Sequence, residues 1–223
     1  SILGTMGAVI VQRAPMRSRK ALFDIGAAGP IGGLIVAIPL LIIGLMFSKV
    51  GHPSEFIPIE ENTILSQEGN SLLYLGSKYL VHGEILPNEE GEDVWLSPPS
   101  PGGTVAFAAW AGLLVTSLNL FPVGQFDGGH IAYAMWGRKG WKVARGFVAL
   151  MFAWGVFLLT VMGNVAGTTW LVWGGVSLLM GPRHPPPLND VTPLDAKRKR
   201  LGWLLVIIFI LILTPIPLIT KQP

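Results

Sequence analysis

The 223-residue chain carries 16 Lys plus Arg against 13 Asp plus Glu; 51% of its residues are apolar, 13% are charged, and none is Cys. A soluble domain carries about twice that share of charge, so the composition excludes an ordinary soluble enzyme and a disordered chain alike. The missing cysteines exclude a disulfide framework, a thiolate zinc site and a Cys nucleophile, and the net charge of +3 comes from basic residues beside apolar runs, where they act as topology signals and not as a nucleic-acid footprint.

Four uncharged runs dominate the chain: Ile25–Ser48, Gly102–Phe126, Gly146–Pro182 and Leu201–Thr220, of 24, 25, 37 and 20 residues. A helix needs about 20 apolar residues to cross the hydrocarbon core. Three of the runs therefore predict one crossing each, and the longest predicts a tight helical hairpin. The expected fold is an all-α polytopic membrane protein with about five transmembrane helices and a short membrane-associated β-strand or hairpin near the amino end.

Residues 1–24 form a basic segment expected on the cytoplasmic side, with a Val/Ile-rich run flanked by glycine within Gly4–Arg13 that reads as a short strand or hairpin edge. The chain opens on Ser1 without a basic-then-apolar leader, so an internal start is expected. Residues 25–48 hold the first span, about Ala27–Phe47, with Gly29 and Gly33 spaced for close approach of a neighbouring helix and Pro39 predicting a kink. Residues 49–103 are an acidic insert whose apolar island, Leu72–Leu86, contains Lys78, His82 and Glu84 and reads as interfacial. Residues 104–182 form a transmembrane core with spans near Thr104–Leu120, Phe147–Met162 and Thr169–Met180. A Pro-rich basic linker, 183–200, precedes the last span, about Leu201–Ile219, within residues 201–223.

Basic segments alternate with non-basic ones in step with five crossings. The positive-inside rule then places the amino end, residues 122–145 and the 183–200 linker in the cytoplasm and the acidic insert outside.

The chemistry concentrates in Asn119-Leu-Phe-Pro-Val-Gly-Gln-Phe-Asp-Gly-Gly-His130. Asp127 is the only carboxylate between Val94 and Arg145, and a carboxylate at membrane depth marks a functional site. Pro122 breaks the helix ladder, and broken backbone at that depth needs protein or a water-filled cavity to satisfy it. Asp127 is either a hard ligand for a metal or an ion, or a solvated residue of a cytoplasmic loop. His130, three residues on, shares a helical face with it and is either a second ligand or an interfacial hydrogen-bonding residue. His184, before three prolines, reads as a linker residue; His52 and His82 lie in the outer insert.

These residues resemble a family. Asn119-x-x-Pro122 followed by Asp127-Gly128-Gly129-His130 is similar to the second metal motif of site-2 proteases, intramembrane zinc metalloproteases of the bacterial type. Gly4–Ile10, Arg19–Pro30, His184-Pro-Pro-Pro-Leu188 and Thr214–Pro217 resemble further segments in the same order. The resemblance implies a zinc endopeptidase of a bacterial cell membrane that cleaves transmembrane protein substrates near the cytoplasmic face. It makes Asp127 a Zn2+ ligand and Asn119 the residue hydrogen-bonding near the scissile carbonyl, with Pro122, Gly128, Gly129 and His130 supporting the motif and no further cofactor. The family's other ligands and its general base come from H-E-x-x-H, two His at i and i+4 flanking a Glu. The four His of this chain, at 52, 82, 130 and 184, contain no such pair, and the motif is expected upstream of Ser1. A non-catalytic homologue that binds membrane proteins and an ion-coupled transporter using Asp127 are the alternatives; the implied partners are transmembrane substrates and the bilayer, without nucleic acid.

Overall fold

The computed structural model describes residues 16–58, 65–98, 100–181 and 183–221, and the strand or hairpin edge expected within Gly4–Arg13 lies outside them. The chain is mostly helical, as expected, and short antiparallel strand pairs join Val50–Gly51 to Asp93–Val94 and Leu65–Glu68 to Leu218–Lys221, away from the amino-end segment where a strand or hairpin was expected. In order, the elements are α1 (Arg19–Met46), β1 (Val50–Gly51), α2 (Pro53–Phe56), β2 (Leu65–Glu68), α3 (Leu72–His82), β3 (Asp93–Val94), α4 (Gly103–Asn119), α5 (Asp127–Trp136), a 3-10 turn (Gly137–Lys139), α6 (Gly140–Thr160), α7 (Gly167–Leu179), α8 (Ala196–Ile212) and β4 (Leu218–Lys221). Two helical stretches are long and apolar enough to cross a membrane: Arg19–Met46, and Asp127–Thr160, in which α5 and α6 follow each other through the 3-10 turn. α4 is a shorter apolar helix.

Two compact units partition the chain. One holds the described residues up to Ile31 together with Thr116–Phe209; the other holds Gly32–Val115 and the residues from Ile210 onward.

In the first unit α1 begins earlier than the apolar run predicts, because Ser18 caps it: its hydroxyl accepts from the Ala21 amide at 3.3 Å. The charged first turns are tied down: Arg19 pairs with Asp190 at 2.8 Å, and Arg198 joins Asp24 at 2.7 Å and Asp195 at 2.6 Å. A parallel bridge between Ser18 and Asn189 runs alongside. Of the loop or broken helix expected after Leu120, the helical alternative is present: the chain breaks at Pro122 and Gly124 and resumes as a helix at Asp127. The helix that contains the third expected span, α6, starts at Gly140, ahead of Phe147, since nothing in Trp141–Gly146 breaks a helix. The hairpin expected from the 37-residue run is present as α6 and α7. They approach backbone to backbone where Gly155 meets Gly167, and a side chain at either glycine would run into the other helix. Phe121 centres the aromatic core, against Phe147 at 4.9 Å and against Trp170 and Phe209 at 6.1 Å.

In the second unit β1 pairs with β3, and β2 pairs with β4 in the register Leu65↔Lys221 to Glu68↔Leu218. The last helix was expected to run to Ile219. It stops at Ile212 because Pro215 and Pro217 cannot donate to a helix ladder, and the residues beyond find their backbone partners in β2. The apolar island of the insert becomes α3, capped by Ser71, whose hydroxyl accepts from Tyr74 N at 3.3 Å. One face turns Leu72, Tyr79 and Leu80 outward; the other buries Lys78 completely. Its ammonium lies 2.7 Å from Asp93, 3.5 Å from Glu68 and 4.4 Å from the Tyr74 ring centroid, and Tyr74 donates to Glu68 at 2.9 Å. Burial raises the Glu68 carboxyl above its ordinary value, with Lys78 opposing the shift.

Candidate active site

Every sequence-predicted site residue lies in the first unit, around the break between α4 and α5. The last turn of α4 tightens: the Phe121 amide bonds to the Leu118 carbonyl at 3.1 Å, and the Val123 amide to the Phe121 carbonyl at 2.7 Å. Pro122 brings no donor, and Gly124, at φ +53, takes a left-handed conformation that reverses the chain. α5 then restarts at Asp127. Gly128 and Gly129 are buried in its first turn: a Cβ on Gly128 would meet the carbonyls of Leu120 and Phe121, and one on Gly129 those of Val123 and Gly124. The Asp-Gly-Gly spacing thus lets the helix start rest directly on backbone. Because backbone cannot move aside, Gly128→Ala should cost about 1–3 kcal/mol, read as a lowered thermal transition in detergent. Gly32→Ala, where nothing lies within 4 Å, is the matched control and should leave the transition in place.

Asp127 is half-buried in that first turn, where the helix dipole favours a carboxylate. Its Oδ2 faces Gly29 of α1, where a Cβ would come within 2.9 Å. One turn earlier, a Cβ on Gly26 would stand 2.7 Å from the His130 Cβ and 2.8 Å from the Asp127 carbonyl oxygen. A close helix approach is thus made at Gly29, one of the two positions expected, and at Gly26. No hydrogen bond or ion pair reaches the Asp127 carboxylate among the described residues.

Asn119 ends α4, exposed and with its amide free of hydrogen bonds among the described residues; none joins it to Asp127. His130 is buried, and its Nδ1 lies 2.6 Å from Nε2 of His184, with the rings nearly perpendicular at 83°. His184 lies in the linker between α7 and α8, as expected, but it is buried, and burial lowers its imidazole below the ordinary value while the Pro185 carbonyl opposes the shift. That carbonyl, 2.6 Å from His184 Nδ1, can only accept, so His184 carries its proton on Nδ1 and Nε2 accepts from His130 Nδ1–H. His130 Nε2 then keeps its lone pair. No local signal could have disclosed this pair, since its members stand 54 residues apart.

Among the described residues no three of His, Asp and Glu converge as a metal site. A half-buried carboxylate without a partner, opposite a residue without a side chain, fits one zinc-ligand position; the other ligands are not supplied by the described residues.

Several known proteins are similar to this chain in sequence. The protein named probable zinc metalloprotease EGY2, chloroplastic, of Arabidopsis thaliana is 29% identical over 216 residues, covering 96% of this chain and 35% of its own. The one named probable zinc metalloprotease EGY1, chloroplastic, of Oryza sativa subsp. japonica is 29% identical over 220 residues, covering 97% and 34%. An Oryza sativa subsp. indica protein named probable zinc metalloprotease EGY2, chloroplastic, is 34% identical over 137 residues, covering 61% and 23%. The chain spans about a third of the length of the first two of these curated relatives. No solved structure matches it. The model for Peptidase family M50 matches residues 2–162, a stretch that takes in Asn119, Pro122, the Asp127-Gly-Gly-His segment and the glycines of α1 opposite it, so the chain belongs to peptidase family M50, the site-2 protease family.

Proposed function

We propose that the chain is the membrane core of a zinc endopeptidase that cleaves transmembrane protein substrates near the cytoplasmic face. The observation that carries the reading is the unpartnered Asp127 carboxylate presented toward Gly29 by a Pro-broken helix start. Bound zinc supplies water activation and carbonyl polarisation. Within this chain Asp127 contributes one ligand, and Asn119, exposed and unbonded at the end of α4, contributes a hydrogen bond to the scissile carbonyl. An H-E-x-x-H motif, which would supply the remaining ligands and the general base, is not among the residues of this chain, so the reading requires that the complete protein supply it. The test is to read the codons of the complete protein and to measure zinc and cleavage of a transmembrane substrate with it. Bound zinc with cleavage supports the reading; a complete sequence without the motif and no bound zinc leaves a non-catalytic binder of membrane proteins.

The proposed topology has five crossings, by α1, α4, α6 from about Phe147 onward, α7 and α8, with the acidic insert outside and the basic segments, 122–145 among them, in the cytoplasm. Four of these crossings separate Ser18 from Asn189, and four separate β2 from β4. An even number returns the chain to the side it left, so the hydrogen bonding within both pairs supports the count. Outward-facing apolar side chains support it too, as on α8 with Trp203, Leu204, Ile207 and Ile210. Single cysteines at Glu89 and Lys139, both exposed, should label from opposite faces; labelling from one face would refute the topology. A bacterial cell membrane is the proposed location, on the resemblance of the His184 and Thr214 segments to bacterial members. The relatives are named chloroplastic, and fractionation of the source cells separates the two.

A further inference from the structure

Asp127 has no partner holding its carboxylate among the described residues, so its position depends on where α5 is held. The first turn of α5 rests on the carbonyls of Leu120, Phe121, Val123 and Gly124, and the helix approaches α1 closely at Gly26 and Gly29, which have no side chains to grip it. Further along the helix lies the segment from His184 to Asp190, tied at several points. His184 Nε2 accepts from His130 at 2.6 Å, and the His184 carbonyl accepts from Trp141 Nε1 at 3.0 Å. Asp190 accepts from the Tyr133 hydroxyl at 3.1 Å and from Arg19 Nε at 2.8 Å. The amides of Leu188 and Asn189 donate to the carbonyls of Met16 and Arg17, at 2.8 and 3.1 Å. His130 and Tyr133 stand one and two turns beyond Asp127 on α5, so the segment grips the two turns that follow the ligand. Between its anchors lie Pro185, Pro186 and Pro187, whose fixed φ makes a stiff extended spacer.

We infer that His184 is a positioning residue for the metal site: through His130 it fixes the rotation of α5, and the proline spacer transmits the hold of residues 188–190 on the start of α1. This rests on Asp127 being a zinc ligand. Loosening the strap lets the carboxylate drift from its place opposite Gly29, and misplacement of a reacting group by about 1 Å costs on the order of 10²-fold.

The test uses the full-length, zinc-loaded protein. His184→Ala should release zinc to a chelator about tenfold faster and lower kcat about tenfold, with KM unchanged, in the range seen for outer partners of metal ligands. In the metal-free protein the same variant should speed amide exchange over residues 128–133. His184→Gln keeps an acceptor for His130 Nδ1–H and should restore most of both effects. Pro186→Gly, at an exposed position, loosens the spacer without touching either histidine and should also speed zinc release. Parental zinc release and kcat in His184→Ala overturn the inference, as does a Gln variant no better than Ala. Should His184→Ala fail to fold, unchanged release in Pro186→Gly overturns it. Asp127→Ala separates the two claims. If that variant keeps its zinc, the ligand role itself is wrong; if it loses zinc while His184→Ala behaves as the parent, only the strap is refuted.

Discussion

Asp127→Ala in the complete protein is expected to abolish cleavage and to weaken zinc binding by more than about 100-fold, because residues that merely support a metal ligand already cost about 10–100-fold when removed. The helices should survive the change. The carboxylate makes no hydrogen bond or ion pair among the described residues, and the start of α5 rests on the carbonyls that Gly128 and Gly129 approach. Melting of the metal-free variant should therefore match that of the metal-free parent, while metal content falls. Asn119→Ala gives the contrasting pattern. An amide is a poor zinc ligand but a good donor to a developing oxyanion, and loss of one such donor costs about 10²–10³ in rate. Its zinc content and substrate affinity should stay at the parental level. A cleaving Asp127→Ala variant, or a zinc-free Asn119→Ala variant, would reverse the two roles.

The largest stability effect is expected far from this chemistry, at Lys78. Lys78→Met keeps the length of the side chain but leaves Glu68 and Asp93 without their ammonium. Breaking a buried pair from one side costs about 3–5 kcal/mol, and Lys78 is completely buried with Asp93 at 2.7 Å. The pH dependence has a definite sign. Burial raises the Glu68 carboxyl above its ordinary 4.5, so the folded state binds that proton more tightly than the unfolded chain does. Its contribution to stability is present below about 4.5 and is lost as pH rises through the elevated folded value. Without Lys78 that window moves further up. The deficit of the variant should therefore be largest near neutral pH and shrink on acidification, measured by thermal unfolding or by limited proteolysis of the insert across pH. A deficit independent of pH would mean that packing, not charge, makes Lys78 important.

The helices were legible in the sequence because an uncharged run of sufficient length has few alternatives to a helix in an apolar setting. Boundaries moved where capping or proline intervened: Ser18 started α1 early, and Pro215 and Pro217 stopped α8 short of Ile219. The break before Asp127 was legible for a local reason as well. Pro122 and Gly124 act within their own few residues, and two consecutive glycines announce a close approach whatever packs there. The pairing of β2 with β4 was not legible, since strands of four residues with mixed patterning carry too little periodicity to be distinguished from loop.

The sequence by itself thus determined where the chain is apolar, where its helices break and which carboxylate stands at the break, because these follow from properties of neighbouring residues. Only the tertiary structure decided that Asp127 faces Gly29, that Lys78 is buried between two carboxylates, and that His184 grips His130 across 54 residues. A buried polar group takes whichever partner packing brings opposite it, and a partner that distant leaves no periodic trace in either segment.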